Sequence, residues 1–205
     1  MKRIREYIGD DMFNHILMSG GEIRACVNGS KYSAPEEKLG YCQGILTVFP
    51  HMLLMNFSRW LWNGDLPKPY EGFMDSSVGA LQKTVFPVLE QALAANTPPQ
   101  ESGKLLALLI TDVVPKHVLN GYYDYMFVGS PDGKDISEFW MEVQPFLKWA
   151  EQVITSAYQN GPLPTELMEE LYLFVGTRMP FILIKRWYDW QFGAEKLEMP
   201  PPPQD

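Results

Sequence analysis

Apolar positions recur every three to four residues over most of the chain, the period that gathers side chains onto one face of a helix. Over Lys2–Met18 the stripe is Ile4, Ile8, Met12 and Ile16, with Phe13 and Leu17 beside it, and Ser19-Gly20-Gly21 ends the segment. Ile23, Ala25 and Val27 then alternate up to Asn28-Gly29, a dipeptide suited to a two-residue hairpin because both positions tolerate positive φ. Residues 22–34 therefore read either as a small β-hairpin or as a capped loop.

Ser33-Ala34-Pro35-Glu36 has the form of a capping box and predicts a long helix through Leu39, Cys42, Ile45, Leu46, Phe49, Leu53, Leu54, Phe57 and Leu61, ending at Asn63-Gly64. Pro50 lies inside it, and a missing N–H there predicts a kink or break. Gly64–Asp75 reads as a loop rich in proline and glycine, with the next helix starting near Ser76 or Ser77 and using Val78, Leu81, Val85, Leu89 and Leu93 up to Thr97-Pro98-Pro99. Ser102–Leu119 is apolar on more than one face and is expected in the middle of the core. Asn120-Gly121 is expected to close that helix before Tyr122–Phe127 and the turn at Ser130-Pro131-Asp132-Gly133.

Asp135-Ile136-Ser137-Glu138 is a second cap signature, followed by a stripe of Phe139, Val143, Phe146, Ala150, Val153 and Ala157 up to Asn160-Gly161. A last helix is expected from Pro164-Thr165 through Leu167, Leu171, Phe174 and Val175, interrupted at Pro180 and continuing to about Phe192. Pro50, Pro87, Pro115, Pro145 and Pro180 recur at irregular intervals and with unlike neighbours, so they do not define a repeat. The pattern predicts an all-α, irregular bundle of about six to eight proline-kinked helices, with either one small β-hairpin or a capped loop near residues 22–34. Residues 1–197 would be a single helical domain, and 198–205, with Pro200–Pro203, an extended tail.

The 205 residues are 46% hydrophobic and 20% charged, enough apolar side chain to form a core. A net charge of -8 repels phosphate backbones and anionic lipid, which argues against nucleic acid or a membrane surface as partner. Cys26 and Cys42 lack the spacing of a metal knuckle and read as buried, reduced thiols. No apolar stretch approaches bilayer length, and the polar start MKRIREYIGDD lacks a signal-peptide core, so a cytoplasmic location is expected.

His15, His51 and His117 are the histidines. His51 follows a proline in an apolar run and reads as a packed core residue, whereas Asp112 and His117 are loosely spaced for an orienting pair. HExxH, ExxH and GxSxG patterns are missing, and Ser102-Gly103-Lys104 lacks the remaining glycines of a phosphate loop, so neither a cofactor, a metal nor a catalytic set is expected. Aromatics reach 13% of the chain. Tyr122, Tyr123, Asp124 and Tyr125 cannot all face one core from a loop, and tyrosine beside aspartate is a common recognition composition.

These four, with Asp65, Tyr70 and Glu71 from the preceding loop, form the candidate partner-binding set. The function expected is stoichiometric binding of another protein with a basic surface, as immunity proteins and inhibitors act on a toxin or effector. Self-association is left open. The alternative is a helical small-molecule-binding protein or enzyme with an apolar, aromatic pocket between kinked helices near Pro50, Pro115 and Trp187.

Overall fold

The computed structural model describes residues 35–62, 64–66, 68–130, 133–159, 171 and 174–193. Five continuous helical rods account for most of them: α1 (Pro35–Leu61), α2 (Tyr70–Leu93), α3 (99–127), α4 (Ile136–Tyr158) and α5 (174–192). There is no strand among the described residues, so the all-α expectation holds for them, with five rods where six to eight separate helices are expected for the whole chain. The expected helix 2–18, the hairpin at 22–34, Cys26, His15, the start of the last helix and the tail lie outside the described residues.

α1 runs through Pro50 without a break. The expected break does not occur because the helix is held from both sides of the proline: Ile45, Leu46, Leu53, Leu54 and Phe57 are all buried, each contributing on the order of 1.5–3 kcal/mol of burial that a break would forfeit. Gly64 closes α1 where the sequence expects a stop; Asn63 lies outside the described residues. The Gly64 amide donates to the Arg59 carbonyl at 2.7 Å, and its φ of +89° is the left-handed cap that glycine accepts without strain.

α2 starts at Tyr70, six residues before the expected Ser76. Tyr70, Phe73 and Ser77 continue the Leu81–Val85–Leu89 stripe backwards onto the core, and Pro69 before the first turn and Glu71 within it suit a helix start. The composition of 64–75 signals a loop, but only its first part is one.

α3 corrects a second expected boundary. It does not end at Asn120-Gly121 but continues to Phe127, so Tyr122–Phe127 is helix. Asn120 turns its side chain to accept a hydrogen bond from Trp140 Nε1 at 2.7 Å, and Gly121 serves a close helix crossing: a Cβ there would meet Phe73 Cε2 at 3.3 Å. α3 touches all four other rods, the central position expected for its apolar surface.

α4 opens as the cap signature predicts, with the Asp135 carboxylate accepting from the Ser137 amide at 3.0 Å, a bond that holds the Asp135 carboxyl below its ordinary range. Its stripe follows the prediction through Phe139, Val143, Phe146 and Ala150, then moves to Ile154 and Tyr158 where Val153 and Ala157 are expected.

Two rods are deformed before a proline. α3 consists of Pro99–Leu108, a π turn at Leu109–Val113 and a second α segment, Val114–Phe127; α5 consists of a π turn at Phe174–Arg178 and an α segment, Met179–Phe192. Each π turn ends two residues before its proline, Pro115 or Pro180. The wider turn moves the carbonyl that the proline ring would otherwise strike. Pro87 and Pro145, both exposed, sit in α-helix without such a turn.

Candidate functional site

The helical continuation of α3 decides where the expected binding residues go. Successive positions turn by about 100° on a helix, so Tyr122 and Tyr123 face inward with Met126 and Phe127, Asp124 faces solvent and Tyr125 lies at the boundary. Tyr122 is fully buried, hydrogen-bonded to Ser58 Oγ and enclosed by Phe73, Tyr70 and Trp187 at centroid distances of 5.5–5.7 Å. Tyr70 is also fully buried, donating to the His51 carbonyl at 2.8 Å. Burial raises both phenols well above their ordinary value. Tyr123 is buried as a ring stacked on Phe127, with its hydroxyl donating to the Lys134 carbonyl. Burial, then Asp135 and Asp124, raise its phenol too. These three tyrosines belong to the core and are withdrawn from any contact surface.

The other four share one end of the bundle. Asp65, Glu71 and Asp124 are exposed. Tyr125 donates its hydroxyl to the Pro69 carbonyl at 2.8 Å, and Lys68 donates to the Tyr125 carbonyl at 2.5 Å with its ammonium 5.4 Å from the ring centroid. This pair straps the 64–69 loop, and Asp65 with it, to the C-terminal end of α3. Glu71 pairs with Arg59 at 3.3 Å, joining the end of α1 to the start of α2.

Beside that strap lies an apolar patch for which the sequence gives no distinct signal. Trp62, Phe127 and Phe192 form a triangle with centroids 6.3–6.4 Å apart. Phe192 is 40% exposed, and Val128, the residue after Phe127, is 69% exposed. Phe192 sits at the end of a helical stripe whose other members are core, so periodicity assigns it inward, whereas Val128 follows Asp124 and Tyr125 on the outer side of α3.

His51 is sealed in the core. Its Nδ1 lies 2.6 Å from the Thr47 carbonyl and its Nε2 2.8 Å from Ser77 Oγ, so the neutral ring donates to the carbonyl and accepts from the serine. The order of serine, histidine and orienting acceptor resembles a nucleophile set, but His51 is fully buried and Ser77 nearly so, leaving no approach for a substrate atom. Burial, the largest influence, lowers the imidazole from 6.5 to about 4, with the Thr47 bond opposing and His117 adding repulsion. Unfolded chains thus bind a proton that the folded one refuses. Stability should be full above pH 6.5 and fall as pH drops from 6.5 toward 4, by a total on the order of 3 kcal/mol. Urea midpoints at pH 7 and pH 4.5 should show this loss, and His51→Gln should flatten that part of the profile. Asp112 bonds Lys116 and does not orient His117.

Between α1, α3 and α5 lies an apolar cavity of about 30 Å³ lined by Pro50, Pro115 and Pro180 together with aliphatic side chains such as Leu46, Ile110 and Val175. It occupies the place expected near Pro50 and Pro115. Trp187 is not among its walls; it packs instead against Tyr122 and Phe127. Cys42 is a buried thiol near this region. No set of three His, Cys, Asp or Glu is placed to hold a metal ion among the described residues, nor is any of their helices long and apolar enough to cross a membrane. Compared with protein-family models, curated proteins and solved structures, the chain matches none.

Proposed function

We propose that the protein acts by stoichiometric contact with another protein, covering a surface of its partner as an inhibitor or immunity protein does, and that it docks through the end of the bundle that carries Val128 and Phe192. The observation behind this reading is exposed apolar side chain at one end of the bundle: Phe192 at 40%, a member of the Trp62–Phe127–Phe192 triangle, and Val128 at 69%, next to Phe127 in the chain. An aromatic and aliphatic centre with a polar rim has the composition of a binding hot spot. Asp65, Glu71 and Asp124 supply acidic rim groups, while the ammoniums of Lys68 and Lys134 on the same end are engaged by backbone carbonyls. With a net charge of -8, the long-range field and this rim both favour a basic partner.

Val128→Lys places a cation on the exposed apolar end of the bundle without touching the core. It should weaken partner binding by about 30-fold or more, the effect of a hot-spot residue worth about 2 kcal/mol, while the Tm stays within about 2 °C. The measurement is affinity capture from the native host, followed by titration with the purified partner. Recovery of a near-equimolar partner by the wild type and its loss from Val128→Lys supports the reading. A partner retained equally by the variant, or none at micromolar concentration, refutes it.

A further inference from the structure

The proline-lined cavity has an apolar neighbour. A second apolar void of about 20 Å³ lies along α1 from the first, walled by residues including Cys42, Leu89, Leu106 and Tyr158. Leu46, Ile110 and Val175 line both voids, so these three aliphatic side chains are the partition between them. Two of the three sit on irregular backbone: Ile110 in the Leu109–Val113 π turn and Val175 in the Phe174–Arg178 π turn. A π turn carries one residue more than an α turn would, so small shifts in its hydrogen bonding rotate its side chains, and such turns recur at functional sites.

We propose that the two voids are the ends of one apolar channel, opened by movement of Ile110 and Val175, that takes an unbranched aliphatic chain. This does not depend on the docking surface at the other residues of the bundle. The chemistry of the walls sets the ligand class. The first void has no hydroxyl, amide or charged side chain on its lining, and the second adds only the Cys42 thiol and the Tyr158 hydroxyl. A polar group inside would lose its hydrogen bonds with water and regain almost none, so the occupant is hydrocarbon and any head group stays outside. Shape narrows the class further: voids of 30 and 20 Å³ in line suit a slender chain that displaces one partition, not a broad ring. The competing explanation is that the prolines merely leave packing defects.

The test uses the full chain with 1-decanol and decanoate as straight-chain probes and 1-adamantanol as a compact one. Thermal melts with decanol should show a saturable rise in Tm, about 5–10 °C at roughly a hundredfold excess over Kd. Decanoate should behave likewise and adamantanol should have little effect. Val175→Leu adds a methylene at the partition and should fold with a reduced decanol response, whereas Leu108→Ala, at an exposed position, should respond as the wild type does. Methyl resonances of Leu46, Ile110 and Val175 should shift on decanol titration, a readout that survives even if Val175→Leu folds poorly. Absence of both the Tm rise and the methyl shifts would show the voids to be packing defects only. An equal response to adamantanol, or one unchanged in a folded Val175→Leu, would overturn the channel in favour of nonspecific adsorption.

Discussion

Asp189→Ala is expected to cost about 3–5 kcal/mol of stability, because it removes one member of a buried ion pair. Lys185 and Asp189 sit one turn apart on α5 with side chains 3% and 0% exposed, and Lys185 Nζ lies 2.5 Å from both carboxylate oxygens. Neither charge can be rehydrated where it stands, so removing one member leaves the other buried with less to compensate it. A domain is typically stable by only about 5–15 kcal/mol, and this single change removes a large part of that. Replacing both partners with apolar residues, Lys185→Met with Asp189→Leu, should cost less than Asp189→Ala alone, since no buried charge is left behind. The exposed Arg59–Glu71 pair provides the contrast: its side chains are 50% and 70% accessible, and Glu71→Ala should change stability by about 0.5 kcal/mol or less. Guanidinium unfolding of these variants measures all three differences. An Asp189→Ala cost below about 1 kcal/mol would mean that the pair is not sealed.

The sequence is legible where a local signal and the tertiary contact agree. Asp135 caps α4 because a short acceptor precedes an apolar stripe, and Gly64 ends α1 because the left-handed cap needs no help from packing. It misleads where the same residue types serve packing instead. Gly121 has the composition of a stop, yet it is selected by the Phe73 ring lying against it, a contact from another helix that no local pattern reveals. As a stop it would leave Tyr122–Tyr125 in a loop and on the surface, whereas the helix splits these four residues between core and solvent. Tyr70 misleads in the same way: prolines and glycine around it signal a loop, but the hydroxyl's bond to the His51 carbonyl and the contact with Phe73 hold it inside. The exposed end at Phe192 is invisible to periodicity, which says that a residue belongs to an apolar face and not where the covering element runs out. The three prolines around the cavity were legible one by one. Their convergence depends on the packing of α1, α3 and α5.

The glycines offer the second large effect, and one whose sign changes with position. Gly103 on α3 lies where α3 and α4 make the most extensive helix contact in the described structure. A Cβ built there would stand 2.6 Å from Tyr158 Cβ and 3.2 Å from the Thr155 carbonyl oxygen. Both atoms belong to the α4 backbone or are fixed directly to it, so no side-chain rotation relieves the overlap and the two helices must move apart. Gly103→Ala should therefore destabilise by about 1–3 kcal/mol, even after the gain of about 1 kcal/mol that alanine brings to a helix interior. Gly79, inside α2 with nothing within 4 Å of its hypothetical Cβ, isolates that gain: Gly79→Ala should stabilise by about 0.5–1 kcal/mol. Opposite signs for the same substitution, read from urea midpoints with unchanged m-values, would tie the closeness of α3 and α4 to Gly103. The displacement also reaches the second void, because Tyr158 is one of its walls. A Gly103→Ala protein that remains folded should answer decanol differently from the wild type, while Gly79→Ala should answer identically.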